Sequence, residues 1–466
     1  MSGGDLAFQT VTELSAAIGC GQLSPVDLVD TLVDRIAAHD PRLHAFIAVY
    51  GDDARLAAEA AAKAIGSGHR IGPLHGIPIA LKDLIDLQGR ITTGGSKVWE
   101  ARVSPATASL ARRLIAAGMI VLGKTHTVEF AMGGWGTNQH MGTPWNPWDL
   151  KRQRAPGGSS SGSGVSVAAG LAPCAIGTDT GGSVRLPSSW CGLAGLKTTI
   201  GRVSTFGVLP LSSTLDTPGP MARSVEDVAS LFTVLQGPDP LDPLTLRHAP
   251  DDPMPGLRRG VAGLRLAKLP AAERDGVAAD VLAAYDAALE VLARLGASIV
   301  DLRLPWRFAD LAAMTGRIIG CEGYSFVGDL VDRPELPIDA AVRPRIWLGK
   351  GVPARDYIEA LRERERLKQE FATAFADVDA LLTPTTRTAA PTLAEVDENG
   401  SPAQFTRMAN LLDLCALALP DGFTAAGLPL SLQIIARGYD EATALRVGYA
   451  YQQATDWHRR HPTGLN

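Results

Sequence analysis

Three short segments of the sequence hold the residue types that acyl transfer needs. Two are rich in serine and glycine, residues 157–164 (GGSSSGSG) and 177–185 (GTDTGGSVR), and the third is the apolar run IPIALKDLI, which contains Lys82. A serine hydroxyl is a weak nucleophile without a nearby base, and a lysine in apolar surroundings has a lowered pKa and can accept a proton. Together the segments can supply a nucleophilic serine, a second serine as proton relay, a lysine base and N–H groups for an oxyanion.

Each segment also has an ordinary structural interpretation. Serine-glycine runs are often flexible linkers, and residues 177–185 can form a simple strand-to-loop turn. Lys82 can equally be an edge-strand residue that reaches water beside Asp83, and the local run does not decide between the two. A phosphate-binding P-loop is disfavoured because no Gly-Lys-Ser/Thr ending is present. None of the nine histidines has a neighbouring carboxylate that indicates a Ser-His-Asp triad.

Composition excludes several classes of protein. The 466 residues are 46% hydrophobic and 20% charged, which is typical of a globular protein, and the net charge of −5 disfavours nucleic-acid binding. Five widely spaced cysteines without a C-x-x-C motif disfavour a zinc site or a disulfide framework. Cys174 and Cys191 flank the second glycine segment and are expected to be buried and unreactive. We see neither a signal peptide nor an apolar run long enough for a membrane helix, so a soluble cytoplasmic protein is expected.

Hydrophobic periodicity predicts alternating helices and strands. Helices are expected over two stretches within residues 10–39, the second capped by Ser24 with Pro25 in its first turn. The remaining predicted helices are 53–65, 107–117, 165–170, 277–295 and 354–376, and the predicted strands are 78–81, 119–123, 173–178, 298–302, 378–382 and 430–435. Residues 410–433 are expected to contain a further helix and a turn at Gly427 before the last of these strands. Such alternation predicts α/β layering.

The combined motifs resemble those of the amidase signature family. The matching segments are GIPIALKD (76–83), PGGSS (156–160), GTDTGGSVRLP (177–187), CGLAGLK (191–197), GRVS (201–204), LDTPGPMARS (215–224) and GLPLSLQ (427–433). They are long, multiple and spread over nearly the whole chain. One departure is Ser161, which stands where the family usually has glycine.

The resemblance implies one large α/β domain over residues 1–466, with a central, mixed, twisted sheet covered by helices on both faces. Within it we expect an N-terminal helical part (1–65), the catalytic signature core (66–236), a surface excursion rich in proline and aspartate (237–262), and a C-terminal α/β part that shapes the substrate pocket (263–466).

The resemblance also assigns roles to residues at the matching positions. Ser183 is the expected nucleophile, Ser159 the bridging serine after a cis peptide bond, and Lys82 the base. The expected oxyanion hole consists of Thr180, Gly181 and Gly182. The expected supporting polar residues are Ser160, Asp179 and Arg185. No cofactor and no metal are required by this chemistry.

Substrate specificity is less directly encoded. The expected pocket residues are Met132, Gly133, Trp135, Phe206 and Leu209, and their mostly apolar character favours aryl or alkyl groups. The same side chains can instead pack in the core. The main hypothesis is therefore hydrolysis of a C–N bond in small amides, with anilides, carbamates (urethanase) and esters as further substrates, through an acyl-serine intermediate.

These considerations predict a small-molecule amide, ester or carbamate as the only partner, without nucleic acid or membrane, in a monomer or homodimer. Two alternatives remain open at this point. One is a glutaminase that resembles the A subunit of an amidotransferase and supplies ammonia to a tRNA-dependent partner. The other is a non-catalytic binding protein of the same fold.

Overall fold

Short apolar runs separated by amphipathic segments form one extended sheet. The computed structural model describes residues 6–465, and in this part of the chain eleven strands share that sheet. The strands are β1 (Phe46–Val49), β2 (Pro78–Lys82), β3 (Ile120–Thr125), β4 (Cys174–Asp179), β5 (Ala194–Lys197), β6 (Thr217–Ala222), β7 (Arg265–Lys268), β8 (Ser298–Asp301), β9 (Ala380–Pro384), β10 (Cys415–Phe423) and β11 (Pro429–Ala436).

The sheet is mixed. Its order is β1-β3-β2-β4-β6-β5-β10-β11-β9-β7-β8. The pairs β2–β3, β2–β4, β7–β8 and β7–β9 are parallel, and the others are antiparallel. Because β5 pairs with β10, strands from the predicted signature core and from the C-terminal part belong to one sheet. The expected single α/β domain with a mixed sheet flanked by helices is confirmed.

Side-chain caps precede four of the described α-helices, which begin at Val11, Pro25, Val225 and Glu441. The Ser24 Oγ accepts a hydrogen bond from the N–H of Val26 at 3.1 Å, with Pro25 in the first turn, as the sequence predicts. The α-helices of four or more residues in the described chain are Val11–Gly19, Pro25–Leu43, Gly51–Gly66, Ser109–Ala116, Ser161–Ala168, Arg185–Cys191, Val225–Leu235, Met254–Leu257, Ala279–Arg294, Leu311–Val331, Val342–Trp347, Ala354–Ala374, Arg407–Leu411 and Glu441–Gln453. Within residues 6–465, no helix is both long and apolar enough to cross a membrane.

The register of the central strands brings distant segments to one edge of the sheet. β2 ends at Lys82 and β4 ends at Asp179, and the two strands are parallel neighbours. Their carboxyl ends therefore lie side by side, where ligands commonly bind in such sheets. Asp83, the residue after β2, forms a buried ion pair with Lys124 at 2.8 Å. Lys82 is thus not an edge lysine that reaches water beside Asp83, because it is fully buried.

Candidate active site

Lys82 is buried at the end of β2 with two hydroxyl partners. Its Nζ donates hydrogen bonds to Ser159 Oγ and to Thr178 Oγ1, both at 2.8 Å. Burial lowers the pKa of Lys82 to about 7, against the opposing negative charges of Asp216 and Asp179. A substantial fraction of the amine is therefore neutral near pH 7 and can accept a proton beside Ser159.

Ser159 lies just before the helix Ser161–Ala168 and has no solvent exposure. The Gly158–Ser159 peptide bond is cis, as the resemblance implies. The preceding glycine is required for space, since a Cβ at Gly158 would lie 2.6 Å from the backbone nitrogen of Gly136. This packing holds the serine hydroxyl in place next to the lysine.

The two serine-glycine segments contact each other directly. The N–H of Ser160 donates to the carbonyl oxygen of Ser183 at 3.2 Å. The Ser160 Oγ donates to the carbonyl oxygen of Thr178 at 3.2 Å and accepts from the N–H of the same residue at 3.3 Å. Ser160 therefore links the segment that carries Ser159 to the strand and turn that carry Ser183.

Ser183 lies in the turn between β4 and the helix Arg185–Cys191. It is 8% exposed, whereas Ser159 and Lys82 are at 0%. Ser183, Thr180 and Gly181 form part of the wall of a cavity of about 620 Å³, which we call the serine cavity. A ligand in the cavity can thus reach Ser183, whereas Lys82 is not exposed to it.

The turn also presents backbone donors. Within residues 6–465, no hydrogen-bond acceptor contacts the N–H groups of Thr180, Gly181 and Ser183. The N–H of Gly182 differs from the expectation, because it donates to the Asp179 Oδ1 at 2.7 Å and is therefore not available to an oxyanion in this conformation. The free donors beside Ser183 can stabilise negative charge on a carbonyl oxygen.

A buried ion pair supports this turn. Arg185 Nε and Nη2 donate to the two carboxylate oxygens of Asp179 at 3.0 and 2.9 Å, and both side chains are fully buried. Burial would raise the pKa of Asp179, but the charge and hydrogen bonds of Arg185 hold it well below its usual range. The guanidinium also donates to Asn410 Oδ1 and Gln433 Oε1, each at 2.7 Å. The nucleophile turn is thereby fixed to the C-terminal part of the chain.

Asp216 is a second buried carboxylate near the site, and the sequence did not indicate a role for it. Its Oδ1 accepts a hydrogen bond from Thr180 Oγ1 at 2.5 Å, and its Oδ2 accepts from the N–H groups of Leu211 and Ser212 at 2.8 and 2.9 Å. Burial raises the pKa of Asp216 to about 6. The only available signal was its place in the motif LDTPGPMARS.

Only part of the expected pocket lines the serine cavity. Met132 and Gly133 line it. Trp135 instead stacks on Trp190, with ring centroids 5.7 Å apart. The remaining two expected residues also lie elsewhere: the Phe206 ring contacts the guanidinium of an arginine, and Leu209 packs in an apolar cluster. Trp135 and Leu209 thus pack against hydrophobic neighbours, whereas Phe206 lies against Arg112.

Other candidate chemistries lack support in the described chain. Cys174 and Cys191 are fully buried, and burial raises the pKa of both thiols. Within residues 6–465, no group of three His, Cys, Asp or Glu side chains is placed to hold a metal ion.

Comparison with known proteins gives the family. The model of the Amidase family matches residues 27–445. A curated relative from Halorhodospira halophila, named as the A-type subunit of glutamyl-tRNA(Gln) amidotransferase, is 38% identical over 486 aligned positions, which cover 98% of this chain and 99% of the relative. The solved structure of the Thermotoga maritima protein of the same name has a TM-score of 0.82 and 30% identity, and the match covers 98% of this chain and 97% of that chain.

A further solved structure is described as a vestigial protein complex that reveals the evolutionary origins of an s-triazine catabolic enzyme. It has a TM-score of 0.89 and 32% identity, and the match covers 96% of this chain and 98% of that chain.

The names of the amidotransferase relatives overturn one expectation. We expected a monomer or homodimer with a small-molecule substrate as its only partner and without nucleic acid. Relatives named as one component of a tRNA-dependent enzyme contradict this expectation. Net charge alone does not exclude such a partner, because it describes one chain, whereas one component of a complex can leave RNA contacts to its partners. The chain belongs to the amidase signature family, whose members act on carbon–nitrogen bonds.

Proposed function

We propose that this chain releases ammonia from the side-chain carboxamide of glutamine, as the A-type subunit of a tRNA-dependent amidotransferase. The observation that carries the proposal is the match to curated relatives of that name over 98% of this chain and 99% of the relative.

The proposed mechanism is two-step acyl transfer. Neutral Lys82 accepts the proton of Ser159 while Ser159 accepts the proton of Ser183, whose Oγ attacks the carboxamide carbon. The N–H groups of Gly181 and Ser183 stabilise the oxyanion. The proton returns through Ser159 to the departing nitrogen, and ammonia leaves. Water then releases the acid along the same relay. The 2.8 Å contact between Lys82 and Ser159 and the partial exposure of Ser183 support these roles.

The test combines an activity assay with a mass measurement. The chain, tagged and purified from the cells that make it, is analysed by native mass spectrometry and assayed for glutamate and ammonia from glutamine. We expect a hetero-complex whose glutamine-dependent amidation of glutamyl-tRNA(Gln) is abolished by Ser183→Ala and unaffected by Ser67→Ala at an exposed serine. A homo-oligomeric chain that does not hydrolyse glutamine would refute the proposal.

The walls of the serine cavity favour a second candidate, a stand-alone amidase for aryl or alkyl amides, anilides or carbamates. Met132, Leu186, Leu211, Leu348 and Val352 line the cavity, and about 620 Å³ is within the range that accommodates drug-sized ligands. A panel of glutamine, an acyl anilide, a nitrophenyl ester and an aryl carbamate distinguishes the two. Higher kcat/KM for the aromatic substrates than for glutamine would favour this second function.

A further inference from the structure

The serine cavity contains three arginine side chains, and no Asp or Glu is among its described lining residues. Arg345 is already paired, with Nη2 at 2.7 Å from Glu398 Oε2. Arg317 is exposed to solvent. Arg407 differs from both: it is partly buried, and its guanidinium has no hydrogen-bond or ion-pair partner within residues 6–465. Among the described residues, Arg317 and Arg407 both lack a counterion, but Arg317 is solvated by water, whereas Arg407 is partly withdrawn from it.

Arg407 is held against the nucleophile turn. It is the first residue of the helix Arg407–Leu411, and the Oγ1 of the preceding Thr406 donates to the carbonyl oxygen of Gly181 at 2.6 Å. The carbonyl oxygen of Thr406 accepts from Arg185 Nη1 at 2.7 Å. A Cβ built on Gly181 would lie 3.7 Å from the Cγ of Arg407. The arginine stem thus lies beside the turn that presents the oxyanion donors.

An unpaired cation in this environment is energetically costly. Burial lowers the pKa of the Arg407 guanidinium, which indicates that water solvates it poorly. Arginine nevertheless stays protonated in proteins, so the charge remains and needs a partner. The planar guanidinium matches a carboxylate with two parallel hydrogen bonds, and such charge-assisted bonds are the strong ones.

We propose that Arg407 determines substrate specificity by binding a carboxylate of the substrate while the scissile carboxamide lies at Ser183. This inference rests on the proposed amide hydrolysis at the site but not on glutamine as the substrate. The shared chemistry is a carboxylate a few carbon atoms from the carboxamide, as in glutamine or in an acid monoamide such as glutaramate. Because the cavity lining offers no carboxylate to an ammonium group, glutaramate is hydrolysed at least as well as glutamine.

The test compares two substrates that differ only in the anionic group, glutaramate and pentanamide, in the wild type, in R407M and in R407K. The control R355M places the same change at an exposed arginine of the helix Ala354–Ala374. We expect R407M to lower kcat/KM for glutaramate about 10- to 100-fold more than for pentanamide, mainly through KM. R407K recovers part of the loss because it restores the charge without the two-pronged geometry.

Protection of Ser183 provides a readout that needs no turnover. Glutarate should slow the labelling of Ser183 by a fluorophosphonate in the wild type but not in R407M, and unprotected labelling rates should be similar in both if the site stays folded. Equal losses for glutaramate and pentanamide, or no protection by glutarate in the wild type, would overturn the inference. If glutaramate is hydrolysed in an Arg407-dependent manner while glutamine is not, the inference stands and the proposed glutaminase function fails.

Discussion

Lys82 Nζ and Ser159 Oγ lie 2.8 Å apart in a region that solvent does not reach. Ser183, on the wall of the serine cavity, is the member of the proposed relay that retains some exposure, at 8%. The relay therefore extends from an accessible hydroxyl inward to a desolvated amine. Desolvation keeps the amine partly neutral, and in the proposed mechanism Ser159 carries the proton between it and Ser183.

Replacing the proposed base should separate catalysis from stability. Lys82→Met should lower kcat by about 10²–10⁴-fold, because the relay loses its proton acceptor. The thermal unfolding midpoint should be retained or raised, since an apolar side chain of similar length replaces a buried amine. Steady-state kinetics and thermal unfolding test both parts, with Lys63→Met at an exposed position as the control. Turnover close to that of the wild type would contradict the assignment.

The pH dependence follows from the lowered pKa of Lys82, which is about 7. Below that pH the amine is protonated and cannot accept the serine proton, so kcat/KM should rise with pH through a midpoint near 7 and then level off. The profile is measured with a neutral amide substrate between about pH 5.5 and about pH 8.5, the range in which a base of this pKa titrates. A flat profile, or activity that falls as pH rises, would exclude Lys82 as the base.

Removing a neighbouring charge should move this midpoint. The negative charge of Asp216 raises the pKa of Lys82, in opposition to the effect of burial. Asp216→Asn should therefore shift the midpoint of the pH–rate profile to a lower pH, because the protonated amine loses a favourable interaction. A substitution that only loosened the structure would lower the rate without this shift. An unchanged or raised midpoint would show that the two groups are not coupled.

The Asp179–Arg185 ion pair should be important for folding. Arg185→Met leaves a buried carboxylate without its partner, and we expect the free energy of unfolding to fall by about 3–5 kcal/mol. Urea denaturation measures the change, and Arg355→Met, at an exposed arginine, is the control. A loss smaller than about 1 kcal/mol, the range of exposed pairs, would mean that water or a rearrangement replaces the lost contact.

The bridging role of Ser159 can be tested without a substrate. Ser183→Ala should abolish covalent labelling by a fluorophosphonate, because the nucleophile is absent. Ser159→Ala should retain labelling but slow it by about 10²-fold or more, because Ser183 loses its route to the base. Ser67→Ala serves as the exposed control. Wild-type labelling rates in Ser159→Ala would show that Ser183 is activated by another group.

Local sequence is sufficient to predict some of the helices and strands, including the strand that carries Lys82, but not others. The strand at residues 78–81 and the helix at 354–376 were predicted close to their observed bounds, Pro78–Lys82 and Ala354–Ala374, because each has a clear hydrophobic period. β6 was not predicted, since its prolines at 218 and 220 disfavour a strand. In the structure all six of its residues lie in register with β4, and it also pairs with β5.

The residues of the proposed relay could be named from the sequence because their motifs resemble those of the amidase signature family, whereas each local run alone left a structural interpretation open. The spatial relationships could not. Thr406 and Asn410 contact the nucleophile turn from 225 and 231 residues away, and the missing counterion of Arg407 is apparent only once all its neighbours are placed. Motifs record local backbone and side-chain requirements, whereas burial, pairing and cavity charge arise from the packing of segments far apart in the chain.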